Sequence, residues 1–222
     1  MKNYSIAIDG PAGAGKSTIA KAVSQQLSFI YVDTGAMYRA MALFVLRNNI
    51  DPNDSSAISQ IYDDVDIKID YIDKVQQIYL NGENVTDIIR REEVGNAASI
   101  VSKHLIVREK LVQLQQKIAS NTSVVMDGRD IGTVVLPNAD LKIYLTASAD
   151  ERARRRYLDL RGKGIDEDIE QIKADIIARD EQDMNRKNSP LTKADDAVML
   201  DSSNMSIEEV VSEILRLFNE GK

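Results

Sequence analysis

Gly10-Pro-Ala-Gly-Ala-Gly-Lys-Ser-Thr18 follows directly on the apolar run Ser5-Ile-Ala-Ile-Asp9, and no other stretch constrains the chain as much. It satisfies the pattern G-x-x-x-x-G-K-[ST] at each fixed position: Gly10, Gly15, Lys16 and Ser17. Gly10, Gly13 and Gly15 let the backbone curl until its N–H groups converge on phosphate oxygens, where a Cβ would obstruct them. Lys16 brings a flexible ammonium to the β- and γ-phosphates, and the Ser17 hydroxyl is placed to ligate Mg²⁺. A helix expected from Ser17 to about Leu27 would aim its positive end at the same phosphates. Gly10, Pro11, Ala12, Gly13, Ala14, Gly15, Lys16, Ser17 and Thr18 together imply a nucleoside triphosphate site. The competing reading, a glycine-rich turn that binds nothing, does not account for the strand before it and the helix after it.

At 222 residues the chain is expected to form one domain, with room for a small insert. A net charge of −7 disfavours indiscriminate binding to nucleic acid or to an anionic membrane. An anionic ligand must then be held by locally clustered arginines working against that overall field. The chain contains no cysteine, which removes disulfides, thiolate metal sites and cysteine nucleophiles together. Met1–Asp9 is too short for a secretory apolar region, and no run approaches the roughly 20 apolar residues of a membrane span. A soluble, cytoplasmic protein is expected.

Five apolar runs read as strands: Ser5–Asp9, Phe29–Asp33, Ser123–Asp127, Leu141–Thr146 and Ala197–Asp201. None alternates cleanly, which suits strands buried on both faces of a parallel sheet. Helical stretches separate them, predicting an α/β sheet whose ligand edge is marked by the polar strand ends. Capping boxes are expected at Ser148-x-x-Glu151 and Ser206-x-x-Glu209. The second opens a helix whose stripe Ile207, Val210, Val211, Ile214, Leu215 and Phe218 reads as core. Residues 65–88 break this rhythm. Val65, Ile67, Ile69 and Tyr71 alternate with polar residues, Gln77–Leu80 reads as a second strand, Asn81-Gly82 as a hairpin turn and Glu83–Thr86 as a third strand. One long helical region is expected from Glu92 to about Ala119.

Four clusters carry chemistry. Asp33-Thr34-Gly35 closes the second strand; Thr34 is expected to cap the next helix, and Arg39 on it either forks onto a phosphate or lies solvated. Asp127, ending Val124-Val-Met-Asp127, reads as a carboxylate able to hold Mg²⁺. Gly128 and Arg129 follow where a hydrolytic ATPase commonly has a water-orienting glutamate, which points to transfer onto a bound acceptor. Arg129 in Asp127-Gly-Arg-Asp130 can contact both donor and acceptor phosphates, or pair within its own loop. Glu151-Arg-Ala-Arg-Arg-Arg-Tyr157, leading to Gly162-Lys-Gly164, resembles a closing lid; Arg152 and Arg156 share one face, which a solvated charged helix would also produce. Arg179, Asp183 and Arg186 share a further face, able to offer cations to phosphate and a carboxylate to ribose, or to form a surface ladder. His104 has no ligand set around it and reads as helix surface or core.

With these clusters in place the chain resembles the bacterial-type cytidylate kinases, a branch of the P-loop nucleoside monophosphate kinases. The resemblance runs essentially end to end, through GPAGAGKST, VDTGAMYRA, NGENVTDIIR, EVGNAAS, DGRDIGTVV, ERARRRY and ARDEQDMNR. It implies a P-loop-type α/β fold: a five-stranded parallel sheet flanked by helices, with a small antiparallel insert and a helical lid. One domain over 1–222 is implied, with its core at about 1–60 and 105–222, an acceptor-binding insert at about 61–104 and the lid at about 150–166. The implied activity moves the γ-phosphoryl of ATP to CMP or dCMP with Mg²⁺, in a monomer acting on neither nucleic acid nor membrane.

Residue roles carry over on the same basis. Asp33, Thr34 and Arg39 line the acceptor pocket, with Arg39 and Arg129 on the CMP phosphate. Ser99, Arg108 and Asp130 read cytosine with help from Arg186, Asp183 holds the sugar hydroxyls, and Arg179 lies near the phosphates. Arg152 assists ATP, Ser17 and Asp127 hold the metal, and Lys16, Arg129, Arg156 and Arg179 are the implied catalytic cations. Thr34 stands where the family usually has serine, and a hydroxyl is kept. The rivals are another small-molecule kinase of the same fold, acting on a sugar acid or shikimate-like acceptor, and a nucleotide-dependent regulator.

Overall fold

The computed structural model describes residues 2–73 and 75–221. In chain order the elements are β1 (Ser5–Asp9), α1 (Lys16–Leu27), β2 (Ile30–Asp33), α2 (Thr34–Arg47), α3 (Ser55–Ile61), β3 (Ile67–Ile72), β4 (Val75–Leu80) and β5 (Glu83–Asn84). They continue with α4 (Glu92–Val101), α5 (Leu105–Asn121), β6 (Val124–Gly128), β7 (Leu141–Thr146), α6 (Ala149–Gly162), α7 (Ile169–Asn185), β8 (Val198–Asp201) and α8 (Ile207–Glu220). They divide into two compact units, Met1–Tyr31 with Thr122–Lys222, and Val32–Asn121.

A five-stranded parallel sheet has the order β2-β6-β1-β7-β8, and the first unit holds β1, β6, β7 and β8 with the start of β2. β1 is central, with Asp9 beside Gly128 on β6 and beside Tyr144 on β7. Chain therefore leaves the carboxyl ends of three adjacent strands at one edge, where open α/β sheets bind ligands. Ile6, Ala7 and Ile8 on β1 and Val124, Val125 and Met126 on β6 are buried in succession, as expected of strands covered on both faces. α8 covers one face through Val210, Val211, Ile214 and Phe218, and the Phe218 ring meets Tyr4 and Phe29 edge-on at 5.7 Å each. Ser206 and Glu209 form the full capping box that starts it. The box expected at Ser148 is only half made. The Ser148 hydroxyl accepts from the Glu151 N–H, while the Glu151 carboxylate turns to Arg154 and Arg155, stronger partners than a backbone amide.

The second unit joins a three-stranded antiparallel sheet, order β3-β4-β5, to helices. Asn81 (φ 48°) and Gly82 (φ 85°) both occupy the left-handed region at the β4–β5 turn, the backbone that favours Asn-Gly in tight hairpins. The third strand ends earlier than expected, because the Asn84 side chain accepts from the Thr86 N–H and turns the chain out of the ladder. The helical region expected over Glu92–Ala119 consists of two helices, α4 and α5. The Ser102 carbonyl, which a continuous helix would offer to residue 106, accepts from the Arg108 guanidinium at 3.1 Å. His104 sits in that break, half-buried, with Nε2 2.7 Å from the Pro52 carbonyl, and is not a helical residue. α2 is capped by Asp33 rather than Thr34: its carboxylate accepts from the Ala36 N–H at 2.9 Å and Thr34 opens the helix. No helix among the described residues is long and apolar enough to cross a membrane.

Candidate active site

The loop between β1 and α1 depends on glycine for its shape. A Cβ on Gly10 would lie 2.0 Å from the Leu145 carbonyl oxygen, and Gly13 and Gly15 have φ of 75° and 83°. Gly15 immediately precedes α1, and among the described residues no side chain caps that helix. The first N–H groups of a helix start are ones that an anion can satisfy. Lys16 is buried with Nζ 2.6 Å from the Pro11 carbonyl. Burial first, and the neighbouring Arg129 second, hold its pKa well below the usual lysine range, against the pull of Asp127, Asp9 and Asp183.

Ser17 Oγ donates to Asp127 Oδ2 at 2.8 Å, and Tyr31 Oη donates to Asp127 Oδ1 at the same distance. The Asp127 carboxylate at the end of β6 is thereby oriented on both oxygens. A hydroxyl and a carboxylate are hard oxygen donors that fit Mg²⁺, which takes few protein ligands and completes its shell with water and phosphate. Among the described residues no group of three or more His, Cys, Asp or Glu could hold a metal ion.

Asp9, at the end of β1, accepts from the Ile131 N–H at 2.8 Å and the Gly132 N–H at 2.7 Å. It holds in place the π-helical turn Ile131–Val135 that follows Asp127-Gly-Arg-Asp130. Burial pushes the Asp9 pKa up to about 6; the two N–H donors and Lys16 oppose the rise and Asp130 adds to it. Arg129 bonds both within and beyond its own loop: Nη1 donates to the Gly128 carbonyl at 3.3 Å. Its Nε donates to Asp183 Oδ2 on α7 at 2.8 Å. Arg186, just beyond α7, lies 3.7 Å from Asp130 and 3.8 Å from Asp183, and its Nε donates to the Ser189 carbonyl. Burial resists ionisation of Asp183, yet Arg129, Arg186 and Arg179 hold its pKa below the usual carboxylate range. The residues Arg129, Asp130, Asp183 and Arg186 thus form one network, and the surface-ladder reading of the α7 face does not hold for Asp183 or Arg186.

The two lid arginines part company. Arg152 is buried, donating to the Ala147 and Ala12 carbonyls and paired with Asp180. Arg156 is exposed and pairs with Asp159 at 3.2 Å. Arg179 is exposed on α7. The segment's other arginines are also engaged: Arg155 reaches Glu151 and the Ser202 carbonyl.

The other sequence-predicted residues belong to the second unit. There the Asp33 carboxylate also accepts from Arg90 at 3.1 Å, while Gln76 on β4 takes the Asp33 N–H and returns a bond to its carbonyl. Thr34 is buried beside it. Arg39 donates to the Ile89 carbonyl and lies over Gly95, where a Cβ would come within 2.8 Å of its Nη1. Arg108 is buried with its guanidinium 5.4 Å from the centre of the Tyr38 ring, and Ser99 is half-buried on α4. Tyr31, Asp9, Asp180, Gln76 and Gly95 went unassigned in the sequence. Two carried a signal there: a strand-end aspartate for Asp9, and a glycine inside a helical pattern for Gly95.

The family model for cytidylate kinase matches residues 6–220. A cytidylate kinase of Caldicellulosiruptor bescii is 55% identical over 218 residues, 98% of this chain and 96% of that one. A cytidylate kinase of Pediococcus pentosaceus is 50% identical over 214 residues, 96% of this chain and 95% of its own. Among solved structures, a gluconokinase from Sinorhizobium meliloti 1021 superposes with a TM-score of 0.51 at 12% identity, covering 98% of this chain and 92% of that one. That likeness concerns the fold alone. On the family match and these full-length identities, the chain belongs to the cytidylate kinase family.

Proposed function

We infer that this protein transfers the γ-phosphoryl group of ATP to CMP or dCMP, releasing ADP and CDP or dCDP. The observation that carries the inference is the network of Arg129, Asp130, Asp183 and Arg186 beside the phosphate loop, in a chain of this family. Such a network offers paired cations and carboxylates to an acceptor and has no glutamate after Asp127 to orient water.

In this reading the N–H groups of Gly13–Thr18 and the Lys16 ammonium hold the β- and γ-phosphates of ATP, with Gly10, Pro11 and Ala12 shaping the loop. Arg152 assists by supporting that loop. A phosphate oxygen of CMP attacks the γ-phosphorus in line as the bond to the β-phosphate oxygen breaks, and ADP leaves. The attacking oxygen is already largely ionised at neutral pH, the second phosphate pKa being about 6, so no strong general base is required. Rate enhancement comes from positioning and from neutralising the charge on the transferring group. Arg129 bridges donor and acceptor phosphates, while Arg156 and Arg179 add positive charge. Ser17 and Asp127 would hold Mg²⁺, which when bound neutralises charge on the β- and γ-oxygens.

For the acceptor, the second unit's proposed contacts are Asp33, Thr34 and Arg39, with Arg39 on the phosphate; the first unit's are Arg129 for the phosphate and Asp183 for the sugar hydroxyls. Ser99, Arg108 and Asp130, aided by Arg186, match cytosine's acceptors and amino group. Leaving buried groups of this kind unpaired penalises other bases. The protein is proposed to work as a cytoplasmic monomer on free nucleotides, which its net charge of −7 favours over nucleic acid or membrane. ADP release from Mg-ATP, with CMP, dCMP, UMP, AMP and GMP offered separately, tests the reading. Release mainly with CMP and dCMP is expected. Equal release with all five, or with none, would overturn it and direct attention to shikimate-like and sugar-acid acceptors.

A further inference from the structure

The crest of the phosphate loop is gripped from outside. At Ala12 the backbone N–H donates to Asp180 Oδ1 on α7 at 2.9 Å, and the backbone carbonyl accepts from Arg152 Nη1 on α6 at 2.8 Å. The two side chains are joined to each other through Arg152 Nη1 and Asp180 Oδ2, and Arg152 Nε is anchored on the Ala147 carbonyl at the end of β7. Ala12, Arg152 and Asp180 are all buried. The loop also packs closely here: a Cβ on Gly13 would stand 3.3 Å from Arg152 Cβ and 3.6 Å from Ile176 Cδ1 of α7.

These contacts fix the peptide groups on both sides of Ala12. Glycine at 13, with φ of 75°, is the residue at which the next peptide plane is freest to rotate. Rotation there would change the direction of a loop N–H. An ion pair whose only task was to join α6 to α7 would not need both polar atoms of a loop residue from a third element. Its burial also makes it a poor stabilising device, since two charges taken out of water roughly cancel their own attraction.

We propose that Asp180, acting with Arg152, is a positioning residue for the phosphoryl donor. The pair holds the Ala12–Gly13 backbone in its anion-binding shape and so makes affinity for ATP depend on the packing of α6 against α7. The proposal rests on the reading of ATP as the donor, and its test does not require an acceptor.

Three variants separate positioning from a merely structural role: Asp180→Ala, Asp180→Asn, and the double variant Arg152→Met with Asp180→Leu. The readouts are the Kd for the fluorescent analogue mant-ATP with Mg²⁺, the KM for CMP, and the thermal midpoint. Asp180→Ala is expected to weaken mant-ATP by about tenfold, the scale of one buried backbone group left unsatisfied, with the CMP KM within about twofold. Asp180→Asn keeps an oxygen for the Ala12 N–H but turns its amide N–H₂ towards Arg152, and is expected to recover part of that affinity. The double variant removes both charges together and is expected to melt near the wild type while still binding mant-ATP about tenfold more weakly. Kd reads only the folded fraction, so a lowered midpoint with wild-type Kd in Asp180→Ala or the double variant overturns the proposal. A parallel rise in Kd and in the CMP KM overturns it too. A wild-type protein that binds mant-ATP without phosphorylating CMP would sink the acceptor reading and leave this test intact.

Discussion

The two units handle charge by different means. In the first, buried ionic groups crowd the carboxyl ends of adjacent strands: Asp9, Lys16, Asp127, Asp130, Arg152, Asp180 and Asp183. Three of them bond to the glycine loop itself, Asp127 at Ser17 and Asp180 and Arg152 at Ala12. In the second unit only Asp33 and Arg108 are buried charges among the described residues, each tied to backbone from a different element. A backbone cradle tolerates many side-chain sequences but needs its surroundings charged and fixed. A pocket built from side chains needs particular residues and leaves its scaffold ordinary. Substitutions should therefore fail differently in the two units.

The largest effect is expected at Lys16. Lys16→Ala keeps the loop's glycines but removes its buried cation, and turnover should fall by about 10³-fold or more. Steady-state kinetics with Mg-ATP and CMP measure this, and near wild-type turnover would break the donor role assigned to the first unit.

Stability should also carry the first unit's signature, through Asp9. Its pKa rises from the ordinary 3.8 to about 6 in the folded protein, so the folded state holds this proton more tightly than the unfolded chain does. The sign follows directly. Stability from this group is fully present below about pH 4 and is lost as pH rises through 6, by about 3 kcal/mol in total on a two-unit shift. Asp9→Asn cannot titrate. The difference between wild-type and variant urea stabilities should therefore change by that order between pH 4 and 7, whatever constant offset the lost backbone bond adds. Parallel curves would mean that the carboxylate is not the costly group proposed.

In the second unit the expected failure is one of discrimination. Arg108→Met keeps much of the side chain's length and its apolar stem while deleting the guanidinium. The preference for CMP over UMP should shrink by about 10- to 100-fold, the range for a buried polar group left without its match. Binding of mant-ATP should be unchanged. If both nucleotides weaken together, the distinction between the units fails.

The same contrast explains what could be read in the sequence. The β1–loop–α1 junction is legible because its ligands lie within nine consecutive residues and its glycines are required by positive φ and by the Leu145 carbonyl. The Asn81-Gly82 turn and the α8 stripe are legible for the same reason, since local pattern alone determines them. The partners of those local features are not local. Asp180 meets Ala12 across 168 residues of chain, Ile131 meets Asp9 across 122, and Tyr31 meets Asp127 across 96. No spacing rule reaches that far, so Tyr31 looked like a strand residue and Asp180 like a neighbour of Arg179. The family resemblance named residues in both units, but it could not reveal that Arg152 faces inward while Arg156 faces solvent. The break between α4 and α5 was hidden in the same way, because it depends on Arg108 taking a carbonyl six residues back.

Gly95 sharpens the comparison with the smallest expected effect. It sits within α4, where glycine is about 1 kcal/mol worse than alanine on helix propensity, so its presence needs a packing reason. The Arg39 guanidinium supplies one, since an added Cβ would fall 2.8 Å from Nη1. The atom displaced is the far end of a flexible side chain, so Gly95→Ala should move Arg39 without disturbing the helix. The thermal midpoint should hold or rise slightly while the KM for CMP increases by about three- to tenfold, as expected when one charge-assisted contact is misaligned. An unchanged KM would show that Arg39 reaches its acceptor from elsewhere, and a lowered midpoint would make Gly95 a packing residue of α4. A raised KM at constant stability would locate acceptor affinity in side-chain placement, in contrast to the backbone cradle of the first unit.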